Sequence, residues 1–268
     1  MSNILWRPTE EEQLESQMAQ FMQSISNRYN VSLTTYQELH SWACEHSEQF
    51  WDYFFSYSEL IYKGSYSKVM SSDVMPGVKW FEGVEINYAE NCLKFSDSHD
   101  AIINVNESGE INRSSYKELT EKVSCCVQFL RDRGIVKGDR VAAVVTNCEE
   151  TMVFFLAVAA IGAVWTSVSP DFGEEAILSR FNQVSPKCLL YVDCYRYKGK
   201  TFSIQDKIQA VIQSLTSVRS FVLLDRESLS TEYEDTTLYS DIFNVYSPND
   251  IIFEAVDFND PLYILYSS

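Results

Sequence analysis

Residues 134–168 read GIVKGDRVAAVVTNCEETMVFFLAVAAIGAVWTSV, and this stretch decides the fold class. The β-branched run at 141–145 predicts a strand, the apolar run at 149–161 predicts a helix, and residues 163–168 predict a second strand. Gly162 separates helix from second strand, as expected of a residue that adopts the left-handed backbone of a helix end. A strand–helix–strand unit of this length is typical of a parallel sheet covered by helices.

The same alternation extends to both sides of this unit. On the amino-terminal side, Ser115-x-x-Glu118 is a capping box that predicts a helix from Ser115 to Gly134. On the carboxyl-terminal side, short apolar runs alternate with amphipathic stretches, which predicts helices at 174–184 and 203–215 and strands at 188–192, 220–224 and 262–266. Residues 227–250 are acidic and polar, and we expect a surface excursion there. The sequence therefore predicts an α/β domain over residues 96–268.

The first 95 residues have a different character. Two capping boxes, Thr9-x-x-Glu12 and Thr35-x-x-Glu38, predict two helices, and the second is dense in aromatic side chains. Helices with so much apolar surface need a partner surface rather than solvent. We therefore expect residues 1–95 to form a helical extension that docks on the larger domain.

Composition limits the partners and the compartment. The chain has 38 acidic and 21 basic residues and a formal charge of −17, which argues against general binding to nucleic acid or to an anionic membrane. The longest apolar stretch, 153–168, is divided by Gly162 and is too short to predict a membrane span. The start of the chain lacks the pattern of a secretory signal, and the seven cysteines form no Cys-x-x-Cys pair. These features predict reduced thiols and a cytosolic protein.

The glycines and histidines exclude several kinds of active site. Nine glycines are present, and no two lie closer than four residues apart, so both the phosphate loop and the dinucleotide fingerprint are absent. This removes an NAD-dependent dehydrogenase, the obvious alternative for a parallel α/β chain. The three histidines stand in no metal-ligand or nucleophile pattern. The sequence predicts no catalytic residue and no metal ligand, hence no complete active site.

Four stretches in a fixed order carry a family resemblance. They are Trp80-Phe81-Glu82-Gly83 with the following residues 86–91, Gly134 to Val141, Ser169-Pro170-Asp171-Phe172-Gly173, and residues 260–268, DPLYILYSS. Together they resemble the amino-terminal portion of the acid-CoA ligase branch of the adenylate-forming (AMP-binding) superfamily, and in particular the ligases that act on acetoacetate. The resemblance implies a helical extension of the acyl-CoA synthetase kind followed by an incomplete AMP-binding domain, with the carboxy-terminal part absent.

The resemblance also implies a reaction. Family members convert an acid, ATP and CoA to acyl-CoA, AMP and pyrophosphate, here acetoacetate to acetoacetyl-CoA, in lipid, fatty acid and ketone-body metabolism. The cofactors of the complete family enzyme are ATP, CoA and Mg, and its partners are small molecules, with no nucleic acid and no membrane span. The positions that match the family's binding segments are Ser169, Pro170, Asp171, Tyr197, Lys198 and Lys200 on the CoA side, and Ser267 and Ser268 at the start of the ATP-phosphate loop.

Other interpretations of these residues remain open. Asp171 suits the N-cap of the helix that begins near Glu174, and the basic run from Arg196 to Lys200 suits a solvated loop. Because the glycine-rich loop with its lysine is missing, we expect the chain by itself to be inactive and to bind no cofactor tightly. The alternatives are a fragment of an acetyl-CoA or other short-chain acyl-CoA synthetase, a non-catalytic truncated isoform that acts as an interaction protein, and a binding module with partial CoA affinity.

Overall fold

The computed structural model describes residues 5–95, 97–224 and 235–267. The chain divides into two compact units, one made of Met1–Leu60 with Tyr66–Glu82, the other of Ile61–Ser65 with Gly83–Ser268. This division falls between residues 82 and 83, whereas the sequence analysis placed the domain boundary between residues 95 and 96. That boundary stays a prediction.

The described part of the first unit contains four helices rather than the two that were expected. They are α1 (Glu10–Glu15), α2 (Gln17–Tyr29), α3 (Tyr36–Glu45) and α4 (Ser47–Tyr57). The capping boxes at Thr9 and Thr35 are both present. Each expected helix is interrupted once, because Ser16 and His46 leave the helical backbone conformation. A small core of Phe21, Ile25, Leu39 and Trp42 holds α2 and α3 together, and Phe50 and Tyr53 of α4 pack against it.

The second unit contains the α/β domain. In chain order its elements are β1 (Tyr62–Gly64), β2 (Val84–Ile86), α5 (Tyr88–Cys92), β3 (Asp100–Val105), β4 (Ile111–Ser115), α6 (Tyr116–Asp132), β5 (Arg140–Val144), α7 (Glu149–Ala160), β6 (Val164–Val168), α8 (Glu174–Val184), β7 (Cys188–Tyr191), β8 (Cys194–Tyr197), β9 (Lys200–Ser203), α9 (Gln205–Ser214), β10 (Ser220–Leu223), β11 (Thr236–Leu238), α10 (Tyr239–Val245), β12 (Val256–Asp257) and β13 (Tyr263–Ile264).

A six-stranded sheet forms the centre of this unit, in the order β11-β10-β7-β5-β6-β13, with every neighbouring pair parallel. The predicted parallel α/β fold is confirmed. Most of the large core lies on this sheet and on α6 and α7, and α7 is apolar nearly all round because it is buried on most of its surface. Gly162 has φ +69°, and a Cβ there would lie 3.0 Å from the Glu254 side chain, so the turn between α7 and β6 requires glycine.

Two antiparallel hairpins were not predicted. Strands β3 and β4 pair with each other, and so do β8 and β9. The second hairpin contains the basic run from Arg196 to Lys200, so this run forms two strand ends and a tight turn rather than an irregular loop, and it is exposed along its length as the solvated interpretation expects. The expected surface excursion is also partly wrong: β11 joins the sheet and α10 buries Tyr239 and Ile242. Residues 227–234 of that excursion lie outside the described residues.

The order of the strands creates one topological switch point. From β5 the chain passes through α7 to β6 on one side, and from β6 it passes through α8 back to β7 on the other side of β5. The connections that leave β5 and β7 therefore run in opposite directions. In parallel α/β sheets, ligands bind at the crevice that this arrangement opens at the carboxyl ends of the two strands.

Most of the cysteine side chains are buried or partly buried. None of the seven cysteines is recorded in a disulfide, and Cys44 is exposed whereas Cys125, Cys126, Cys188 and Cys194 are buried. Burial raises the pKa of the Cys188 thiol to about 12, which keeps it protonated and unreactive at neutral pH. No helix in the described ranges combines the length and the apolar character that a membrane crossing would need.

Candidate functional site

Three central strands end at the same level of the sheet. In the parallel register, Val144 of β5 pairs with Val168 of β6 and with Tyr191 of β7. The segments that follow these residues, 145–148, 169–173 and 192–193, therefore start along one edge of the sheet. Neighbouring strands are about 4.8 Å apart, so the segments after β6 and β7 begin roughly 10 Å from each other.

A cavity of ≈ 690 Å³ lies at the switch point on this edge. Its floor is formed by residues that follow β5 and β7, including Thr146, Asn147 and Asp193. Its walls come from the turn between β3 and β4 and from the β8–β9 hairpin. The volume falls in the range of small-molecule sites, and the lining mixes amides, hydroxyls and charges with a few apolar side chains.

The tip of the β8–β9 hairpin presents two backbone donors. Tyr197 pairs with Lys200, so Lys198 and Gly199 form a two-residue turn, with φ of 51° and 72°. The N–H groups of Lys198 and Gly199 donate to the two carboxylate oxygens of Glu107, at 2.9 and 3.0 Å. These hydrogen bonds, with the nearby Arg196 charge, lower the pKa of Glu107. The turn thus already accommodates an anionic group, as a phosphate site would.

The turn at 169–173 is held by a lysine from α9. The Lys207 Nζ donates to the carbonyl oxygens of Pro170 and Phe172, at 2.6 and 2.8 Å. Partial burial lowers the pKa of Lys207, and the nearby Asp171 charge acts in the opposite direction. The expected N-cap role of Asp171 is wrong, because Gly173 occupies the N-cap position of α8 and makes no side-chain cap. The conformation of the turn is therefore set by Lys207 and by the hydrogen bond from Phe172 N to Ser169 O.

Strand β13 brings the end of the described chain to the same edge. Ile264 pairs with Thr166 in a parallel register, so Ser267 lies three residues further toward the carboxyl ends. The Arg180 guanidinium lies over the ring of Phe172 at 5.0 Å and over that of Tyr266 at 5.8 Å. The Tyr266 hydroxyl donates to the Arg180 carbonyl oxygen. Arg180 thus links the 169–173 turn to the residues that precede Ser267, while Ser268 lies outside the described residues.

Only part of the expected CoA segment reaches the cavity. Lys198 lines it, together with Arg196 and Gly199, whereas Tyr197 and Lys200 are exposed and lie next to it in the hairpin. The described residues that line the cavity do not include Ser169, Pro170 or Asp171, although that turn shares the edge. Their assignment to CoA stays a prediction, and so does that of Ser267 and Ser268 to ATP.

The sequence analysis missed three residues of this edge. Asn147 had a usable signal, because a polar residue directly after a predicted buried strand lies at the carboxyl edge of the sheet. Lys207 and Glu107 had none, because their contacts join segments that are remote in sequence. Within the described ranges, no group of three or more His, Cys, Asp or Glu side chains is placed to hold a metal ion.

The comparisons with family models and with known proteins all indicate the same family. The model of the family "AMP-binding enzyme" matches residues 89–268, and that of "Acetyl-coenzyme A synthetase N-terminus" matches residues 36–92. The chain is 35% identical to the acetoacetyl-coenzyme A synthetase of Rhizobium meliloti (strain 1021), over 98% of this chain and 41% of that protein. It is 33% identical to the malonamoyl-CoA synthetase vrtB of Penicillium aethiopicum, over 99% of this chain and 39% of that protein.

A solved structure shares the fold. The acetoacetyl-CoA synthetase from Streptomyces lividans matches with a TM-score of 0.91 and 30% sequence identity, over 99% of this chain and 41% of that one. The chain thus spans about two-fifths of the length of the proteins that it matches. The predicted resemblance is confirmed, since one family model covers residues 89–268, well over half of the sequence. The chain belongs to the AMP-binding enzyme family.

Proposed function

We propose that these residues are the amino-terminal part of an acid-CoA ligase that converts acetoacetate, ATP and CoA to acetoacetyl-CoA, AMP and pyrophosphate. The observation that carries the proposal is the meeting of three segments at one edge of the sheet. The 169–173 turn follows β6, the β8–β9 hairpin follows β7, and Ser267 follows β13. The family resemblance assigns the first two to CoA and the third to the phosphates of ATP.

The chemistry asks the protein mainly to position charged groups. An acid joined to AMP becomes a mixed anhydride with a good leaving group, and the CoA thiol then attacks it. Positioning and electrostatic stabilisation supply most of the rate enhancement in such reactions. In a chain with a formal charge of −17, anionic ligands depend on local cations, and Arg196, Lys198 and Lys200 lie together in one hairpin at this edge. We place the phosphates at the nucleotide end of CoA on this hairpin.

The names of two relatives support the proposed substrate class. One is named for acetoacetate and another for malonamate, and both acids carry a second carbonyl group two carbons from the carboxylate carbon. A short acid with a 3-oxo group is therefore the proposed substrate. The match of residues 36–92 to an acetyl-coenzyme A synthetase model favours acetate as the second candidate.

We further propose that the chain acts in the cytosol in lipid and ketone-body metabolism and that Mg accompanies ATP in the complete reaction. The absence of a disulfide among the seven cysteines supports a reducing compartment. The 268 residues alone are proposed to release no pyrophosphate, because their nine glycines provide no phosphate loop. If the chain is instead a non-catalytic interaction protein, the 268 residues alone would be inactive as well. Activity is therefore tested on the gene product that contains these residues.

The test is pyrophosphate release by the gene product that contains these residues, assayed with acetoacetate, malonamate, acetate and a longer acid in the presence of ATP and CoA. We expect the highest kcat/KM with a 3-oxo acid. A higher kcat/KM with acetate would replace the proposed substrate, and no release with any acid would refute the ligase proposal. A parallel measurement compares CoA with dephospho-CoA, which lacks one phosphate, in binding to the 268-residue chain. Lys198→Ala should reduce the preference for CoA, whereas Lys94→Ala, an exposed lysine away from the cavity lining, should not.

A further inference from the structure

The turn between β3 and β4 presents a carboxylate to the β8–β9 hairpin. Asn106 fixes this turn, because its side-chain oxygen accepts from the N–H groups of Ser108 and Glu110, both at 3.0 Å. Glu107 is therefore held on a defined backbone rather than on a free loop. Its two oxygens each accept one N–H group, from Lys198 and from Gly199.

The hairpin tip has the features of an anion site in its own right. The N–H groups of two consecutive turn residues, Lys198 and Gly199, converge on one carboxylate, and convergent backbone donors in a turn can bind an anion. Arg196 and Lys198 add positive charge, and both line the cavity together with Gly199 and Glu107. A single anion can use this pair of donors at one time, and Glu107 uses it in this structure.

We infer that Glu107 is an intramolecular competitor for a phosphate-binding turn at Lys198 and Gly199, and that a phosphate monoester on a ligand displaces it. The inference rests on the proposed function, in which CoA contacts this hairpin, and it adds a residue that sets affinity and selectivity. A phosphate monoester carries close to two charges at neutral pH, whereas the glutamate carries one. A doubly charged phosphate monoester can therefore replace the carboxylate, whereas the diphosphate that dephospho-CoA retains, with one charge on each phosphate, cannot.

The effect should be confined to ligands that carry the phosphate. Removal of Glu107 frees both donors and removes a negative charge, so CoA should bind more tightly and dephospho-CoA should bind as before. We expect CoA affinity to rise about tenfold, which corresponds to about 1.4 kcal/mol.

The experiment measures binding of CoA and dephospho-CoA to the 268-residue chain by calorimetry, for the wild type, Glu107→Gln, Glu107→Ala and Glu110→Gln. Glu110→Gln is the matched control, because Glu110 lies on the same turn, carries the same charge and contacts Asn106 rather than the hairpin. Amide NMR signals of Lys198 and Gly199 report whether the ligand reaches the turn. The expected result is a tenfold gain for CoA in both Glu107 variants and no gain in the control.

A second measurement uses the unmodified chain and does not depend on how the variants fold. The pKa of Glu107, which is low in the free protein, should rise toward its ordinary value when CoA saturates the site, as followed by the carboxyl carbon signal. Equal CoA affinity in all variants, with the Gly199 amide shifting in each, would leave the CoA site in place and refute the competition. If CoA shifts neither amide in any variant, both the phosphate site and the competition are refuted, whatever the ligase assay shows.

Discussion

Replacement of Lys207 by methionine removes the charge that holds the 169–173 turn while keeping a side chain of similar length. The Lys207 Nζ donates to Pro170 O and Phe172 O at 2.6 and 2.8 Å, and both hydrogen bonds are partly buried. A hydrogen bond with a charged partner contributes about 1.5–3 kcal/mol. Burial lowers the pKa of Lys207, so methionine recovers part of a desolvation cost, and water can reach the freed carbonyl groups. We therefore expect the free energy of unfolding to fall by about 2 kcal/mol, less than the sum of the two bonds.

For a unit of this size, 1 kcal/mol shifts Tm by about 2–4 °C, so Lys207→Met should lower the calorimetric Tm by about 4–8 °C. Lys200→Met is the matched control, because it removes the same charge from an exposed position on the neighbouring hairpin. Hydrogen exchange at the Phe172 amide, which donates to Ser169 O at 3.2 Å, should accelerate only in Lys207→Met. If Lys207→Met melts with the control and exchanges at the wild-type rate, Lys207 does not hold the turn.

Three further predictions concern other parts of the chain. Asn87→Ala should lower the free energy of unfolding by about 2–3 kcal/mol, because the buried Asn87 side-chain amide donates to Ala159 O at 3.0 Å and to two more carbonyl groups. Urea titration measures this loss, and an unchanged unfolding midpoint would contradict the prediction. The pKa of Glu107 is lowered in the folded chain, so its hydrogen bond from Gly199 N should be complete above the ordinary glutamate pKa of 4.5 and lost as pH falls through the lower folded value. If NMR shows that this hydrogen bond is already lost near neutral pH, Glu107 is not the acceptor. Cys44 is the exposed cysteine, so an aromatic disulfide reagent should modify it first in the native chain, and Cys44→Ser should remove that fast phase.

Local sequence signals were sufficient for most of the fold. The three capping boxes, at Thr9, Thr35 and Ser115, begin helices as predicted, because their side-chain and backbone hydrogen bonds form within four residues. The central strands β10, β7, β5 and β6 were found to within one residue at either end, because they are largely buried and read as continuous apolar runs. The edge strand β13 was found to within two residues, whereas the other edge strand, β11, was missed inside the expected surface excursion. Both hairpins were missed, since strands such as Lys200–Ser203 are exposed along their length and lack an apolar face.

The candidate site was less accessible to sequence reasoning. The basic run around Lys198 could be found from composition, but its partner Glu107 lies 91 residues earlier in a polar turn with no distinguishing pattern. The contact between Lys207 and Pro170 likewise joins α9 to the loop after β6 across 37 residues. Such contacts depend on which strands become neighbours, and strand order is not encoded in the periodicity of a single segment.

Strand order also constrains how two large ligands could share this edge. The β8–β9 hairpin follows β7, the 169–173 turn follows β6, and Ser267 follows β13, while β5 lies between β7 and β6. The hairpin is thus about two strand spacings from the turn, roughly 10 Å, and Ser267 is about one spacing beyond it on the other side. If CoA contacts the hairpin with its phosphates and ATP contacts Ser267, the turn lies between them, where the CoA chain runs toward the acyl group. The Lys207 ammonium is engaged by two carbonyl oxygens of that turn, which leaves the turn to offer mainly backbone to a ligand. A neutral pantetheine chain suits such a surface better than a phosphate does, so loss of Lys207 should weaken CoA and dephospho-CoA equally, in contrast to loss of Lys198.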